Sequence, residues 1–125
     1  MDKAAGWMRG FLKRKTERAS ERAALRAEAL RRAAVDLAGH LYRHYGVRRV
    51  WLFGSLAWGD PTETADLDLA VEGLDPMQYF AALGDLLLEA PCRVDLVRLE
   101  EAPHALRQRI QKEGQLLDDP REDHG

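Results

Sequence analysis

Cysteine is almost absent from this chain: Cys92 stands alone among 125 residues. An internal disulfide is therefore impossible, and an oxidising compartment gains no support from the composition. Long apolar runs are missing too. Nothing approaches the ~20 uninterrupted apolar residues that a membrane-spanning helix needs. The apolar cluster Trp7, Met8, Phe11 and Leu12 is broken by Arg9, Gly10 and Lys13, so it does not read as a secretory signal core. These gaps set the expectation of a soluble, cytoplasmic protein with no membrane partner. Proline is scarce, and none lies before Pro61, which leaves residues 15–45 free to form continuous helix.

What is present is a hydrophobic fraction of 46%, enough for one real core in a chain of single-domain length. The net charge of -2 conceals an asymmetry. Residues 1–32 hold ten Lys/Arg against four Asp/Glu, whereas residues 33–125 hold nine against seventeen. A basic appendage on an acidic folded unit follows from that split. We expect a basic helical extension over 1–30, a folded domain over 31–117 and an acidic tail over 118–125.

Lys15 to Tyr45 is rich in Ala, Leu, Arg and Glu and predicts a long helix ending at Gly46. Leu30, Ala34, Leu37, Ala38 and Leu41 give its second half one apolar stripe. Arg49–Phe53 predicts a strand with both faces buried, Ser55–Trp58 one helical turn, and Gly59-Asp60-Pro61 a turn into a polar loop. A second strand is predicted over Asp66–Val71, with Asp66 and Asp68 on one face. Asp75-Pro76 opens a helix to about Glu89, with Phe80, Leu83, Leu87 and Leu88 inward. Arg93–Leu99 predicts a third strand, Pro103 to Lys112 a last helix, and Gln115–Leu117 an edge strand. The fold class expected is α/β (α+β): a mixed sheet of three to four strands with packed helices and a long N-terminal helix.

The residues that carry chemistry are Gly54-Ser55, then Asp66-Leu67-Asp68 after ten intervening residues, then Asp95 after a further 26. An acid in an apolar strand such as Asp95 is costly unless it meets a metal, a charge or solvent. Carboxylate oxygens suit hard Mg²⁺, which binds one or two carboxylates together with water and substrate phosphate. A nucleoside triphosphate is the ligand this implies. His40 and His44 have the i,i+4 spacing of a zinc pair, but no third ligand accompanies them and they read as surface histidines. Trp58 is read as a cover for the core beside the turn rather than a platform for a base.

At these residues the chain resembles the minimal nucleotidyltransferases (MNT proteins) of the DNA polymerase β-like superfamily. Their pattern runs Gly-Ser, a short turn ending in Gly, then [ST]-D-x-D, then a later acid in a strand; Gly54, Ser55, Gly59, Asp66, Asp68 and Asp95 match it. The likeness covers roughly Arg31 to Leu117. It implies a polymerase β-like fold, with Gly54, Ser55 and Gly59 at the phosphates and Asp66, Asp68 and Asp95 as catalytic residues holding two Mg²⁺ ions. It implies ATP as substrate, with AMP passed to a tyrosine of a helical HEPN toxin, the chain acting as antitoxin. Ala65 and Trp58 replace the Ser/Thr and the Arg usual in the family. A binding-only antitoxin that neutralises its toxin by contact is the alternative, and a small-molecule (antibiotic) nucleotidyltransferase is a third. The basic N-terminal helix is expected to support a protein interface or homo-oligomer, with nucleic acid left open as a partner.

Overall fold

The computed structural model describes residues 3–59 and 64–119. Asp60 and Pro61 of the expected turn, residues 62–63 of the polar loop after them, and residues 120–125 of the acidic tail lie outside the described residues. Helix α1 spans Lys3–Tyr45, 43 residues, or ~65 Å at 1.5 Å per residue. It begins twelve residues earlier than expected and runs through Gly6 and Gly10. Each glycine costs a helix only ~1 kcal/mol, and the Ala, Leu, Met, Arg and Lys around them favour it. Gly46, at φ 60°, provides the left-handed exit the sequence suggested.

Strand β1 (Arg49–Phe53) leads into the one-turn helix α2 (Ser55–Trp58), and strand β2 (Leu67–Glu72) follows. A 3-10 turn at Pro76–Gln78, capped by the Asp75 carboxylate, opens helix α3 (Tyr79–Glu89). Strand β3 (Val94–Arg98), helix α4 (His104–Glu113) and strand β4 (Gln115–Leu117) complete the chain. The sheet order is β3-β2-β1-β4, with β1 antiparallel to both β2 and β4, and β2 parallel to β3.

Alternation in the strands divides the core. Val50, Leu52, Leu67, Leu69, Val71, Val94 and Leu96 pack against α1 and α3, meeting Leu30, Ala34, Leu37, Ala38 and Leu41. Trp51, Phe53 and Ala70 face the other way, against Leu99 and Ile110, which brings α4 onto the second face. Both faces of β1 are thus buried, as its uninterrupted apolar run requires. The Tyr42 hydroxyl ties α1 to the sheet, donating to Leu117 O at 2.7 Å and accepting from Val50 N at 3.1 Å.

Helix α3 departs from expectation. Ala82 and Leu86 are buried with Leu83 packed beside them, whereas Phe80 is 81% exposed, Leu88 88% and Leu87 48%. The helix is apolar nearly all round, so periodicity alone did not identify its inner face. The Tyr79 hydroxyl, donating to Leu96 O across β3, fixes the rotation that was adopted.

Candidate functional site

Three turns of chain meet at one end of the sheet. In the parallel register of β2 and β3, Asp68 lies opposite Asp95; in the antiparallel register of β1 and β2, Phe53 lies opposite Asp68. Because Leu67 and Leu69 point into the α1/α3 core, Asp68 projects from the other face, as does Asp95 between Val94 and Leu96. Strand β2 starts at Leu67, so Asp66 stands just before the ladder rather than within it.

Gly54 closes the site from the β1 side. Its φ of 77° and ψ of -157° lie in a region open in practice to glycine alone. A Cβ placed there would lie 2.2 Å from Asp68 Oδ2. The chain therefore keeps a gap where any other residue would meet the carboxylate. Gly54 O accepts hydrogen bonds from Ala57 N and Trp58 N, starting α2, and Gly59 N donates to Ser55 O in a left-handed cap.

Asp68 is half-buried, and its pKa is pushed up to about 6. Burial is the largest cause, followed by the Asp95 carboxylate, which is close enough to share a hydrogen bond, and then by the charge of Asp66. Asp95 is more open and is met at 3.7 Å by Arg93 Nε, an exposed ion pair that contributes little. The structure thus brings Asp68 and Asp95 into contact, while Asp66 acts on Asp68 through its charge.

Among the described residues no three His, Cys, Asp or Glu side chains are arranged to hold a metal ion. The donors present nevertheless fit Mg²⁺, for which two carboxylates with water and phosphate oxygens suffice. Two like charges side by side, one displaced well above its ordinary pKa, are the electrostatic condition that a cation relieves.

Two residues that the motif did not reveal brace this end. Arg26 donates through Nε and Nη2 to Ala65 O at 3.2 and 3.0 Å, anchoring the residue before Asp66. Arg31 does the same for Leu56 O, at 3.3 and 2.9 Å, and so holds α2. The signal in the sequence was an arginine at a stripe position, Arg26 falling in step with Ala19, Ala23 and Leu30. Trp58 packs 6.1 Å from Phe53 and carries the Arg109 guanidinium 3.6 Å above its ring, so it covers the core. His40 makes a 2.9 Å contact with Asp85 and stacks 4.3 Å from His44, a polar seam between α1 and α3.

A mixed sheet that sets aspartates of neighbouring strands against a glycine turn places the chain in the nucleotidyltransferase class of α/β folds. Residues 36–123 match the family described as polymerase beta, nucleotidyltransferase, and the chain belongs to that family. No curated protein matches its sequence. Among solved structures it is similar to a toxin–antitoxin with AMP-PNP, at 26% identity and TM-score 0.58, covering 70% of this chain and 74% of the other. It is also similar to the toxin–antitoxin MntA–HpeT carrying two Asp-to-Glu changes two positions apart (26% identity, TM-score 0.53, 65% and 69% covered). A Tyr-to-Ala variant of MntA–HpeT matches at 27% identity and TM-score 0.52, covering 66% and 68%. Among the described residues no helix is long and apolar enough to cross a membrane.

Proposed function

We propose that this chain is an Mg²⁺-dependent nucleotidyltransferase that passes AMP from ATP to a hydroxyl, a tyrosine of a helical HEPN toxin, and so acts as an antitoxin. The observation that carries the reading is the meeting of Asp68 and Asp95 under the Gly54 backbone. It is supported by the family match and by similarity to a toxin–antitoxin with AMP-PNP. The paired Asp-to-Glu changes in MntA–HpeT have the spacing of Asp66 and Asp68.

Gly54 lets the main chain approach the phosphates, Ser55 offers its hydroxyl and the N–H groups that open α2, and Gly59, whose own N–H closes onto Ser55 O, shapes the far side of the turn. Asp66, Asp68 and Asp95 are the residues that would hold Mg²⁺, two ions when nucleotide is present. Bound there, Mg²⁺ offsets the charge of the polyphosphate and makes the acceptor hydroxyl more acidic. Asp95, the more solvent-accessible acid, takes the proton from that hydroxyl. The acceptor oxygen forms its bond to the α-phosphorus as the bridge to the β-phosphate breaks, and pyrophosphate leaves. Positioning supplies much of the rate, which is why Arg26 and Arg31 matter although neither lies in the motif.

The binding-only reading draws on Ala65 and Trp58. Ala65 is 7% exposed and offers its carbonyl to Arg26, so no hydroxyl stands there. Arg109, however, returns a guanidinium to the turn by stacking on Trp58, which favours an active site. The test is incubation with Mg²⁺, each α-labelled nucleoside triphosphate and a HEPN toxin. ATP label on the toxin, lost in Asp68→Ala and Asp95→Ala, is the expected result. A stable complex that never takes label establishes the binder and ends the transferase proposal.

A further inference from the structure

Helix α1 leaves the globule long before it ends. Among the described residues the first buried position is Ala27, and Arg26 already bonds Ala65 O, so residues 3–25 project over ~35 Å. That segment precedes the family match, which begins at residue 36. Its apolar stripe does not stop with the globule. Met8, Leu12, Ala19 and Ala23 continue, at helical steps, the stripe that Ala27, Leu30 and Ala34 bury. Met8 is 50% exposed, Leu12 53% and Trp7 62%. Residues 3–25 also hold seven Lys/Arg against two Asp/Glu.

The reverse of this surface lies on the same chain. The outer side of α3 and its preceding turn exposes Met77 (90%), Phe80, Leu87 and Leu88. Residues 73–92 include Asp75, Asp85 and Glu89 and no Lys or Arg. Asp85 and Glu89 lean toward His40 at the α1 seam, so the arm is apolar and basic, whereas the outer face of α3 is apolar with an acidic rim. Since α1 is a single unbroken helix to Tyr45, the arm cannot turn back onto its own α3. Two arms laid together without α3 would set like charges against one another.

We infer that this chain self-associates by arm exchange, the projecting half of α1 in one copy seating on the outer face of α3 in a second copy. The length from Met8 to Ala23 is ~22 Å and that from Met77 to Leu88 ~17 Å, so the two stripes are commensurate. A contact ~20 Å long and ~10 Å wide buries on the order of 400 Å² over both surfaces, less than a specific interface needs. Reciprocal exchange doubles this to about 800 Å², close to the ~1,000 Å² that marks a specific interface. The assembly is therefore a closed two-fold dimer. An open cleft of about 440 Å³ at the root of the arm, lined by Arg22, Arg26, Ala29, Leu30 and Pro91, adds a concavity beside the end of α3.

Light scattering of the full chain across protein concentrations, at low and high salt, tests this. The expected species has twice the 14.1 kDa of one chain and loosens as salt rises. Met8→Glu/Leu12→Glu on the arm and Phe80→Glu/Leu88→Glu on the receiving face each yield a monomer with unchanged circular dichroism. Should the latter pair disturb folding, Met77→Lys, at a position 90% exposed, reads the same face. A wild-type chain that stays monomeric at every concentration overturns the inference, including one that gains mass only with a toxin. So does a dimer indifferent to the α3 substitutions, which would mean the arms pair only with each other.

Discussion

Replacing Gly54 with alanine isolates the contact on which the site is built. Two penalties act together. Backbone at φ 77° and ψ -157° costs a residue with a side chain about 1–3 kcal/mol. The new Cβ also meets Asp68 Oδ2 at 2.2 Å, Cγ at 3.1 Å and Cβ at 3.3 Å. The carboxylate must move by about 1 Å, yet its strand is pinned by Leu67 and Leu69, both fully buried, so overpacking adds about 1–3 kcal/mol. The sum expected is about 2–6 kcal/mol. Gly46 supplies the control: its φ is 60° and no atom lies within 4 Å of a Cβ, so Gly46→Ala should cost only about 1–2 kcal/mol. Urea unfolding of both variants, repeated in an Asp68→Ala background, separates strain from collision. The collision disappears with the carboxylate and leaves a coupling of about 1–3 kcal/mol between positions 54 and 68. Equal costs for the two glycines, or an identical Gly54→Ala cost in both backgrounds, refutes the close-approach account.

The raised pKa of Asp68, about 6 against 3.8, means that the folded chain binds this proton more tightly than the unfolded one. The associated destabilisation is absent at the acid end of that window, grows as pH rises through it and is complete above about 6. After allowance for solvent screening of a half-exposed group, Asp68→Asn should add about 1–2 kcal/mol at pH ~8 without metal, a gain that fades toward pH ~4. Thermal unfolding at the two pH values checks it, and a gain of equal size at both would contradict the sign. Tyr42→Phe strips Val50 N–H and Leu117 C=O of one shared partner and should cost about 1–3 kcal/mol in urea unfolding, with the α1–sheet contact loosening first in hydrogen exchange. On α3, Leu86→Ala should cost about 2–5 kcal/mol and Phe80→Ala less than about 0.5 kcal/mol at monomer concentrations, since only Leu86 is buried. A larger cost at Phe80 would restore the inward face that periodicity suggested.

Much of this protein follows from the order of its residues alone. Strand β1 matches its expected bounds because a β-branched and aromatic run closed by glycine has few other conformations. Gly46 and Gly59 end helices for the same local reason, since a left-handed cap depends on one residue and its own carbonyls. The motif positions of Gly54, Asp66, Asp68 and Asp95 were likewise visible as spacing. Other features have no local cause. On α3 the apolar residues surround the helix, and only packing against α1 and β3 chose Ala82 and Leu86 over Phe80 and Leu88. The support that Arg26 and Arg31 give to Ala65 and Leu56 spans 39 and 25 residues, a distance that no periodic pattern encodes. The nearness of Asp68 and Asp95 likewise required the parallel register of β2 and β3. Sequence sets which groups are available and the local conformations they prefer. Only the tertiary fold fixes which of them share a dielectric environment, and with it the displaced pKa of Asp68 and the gap over Gly54.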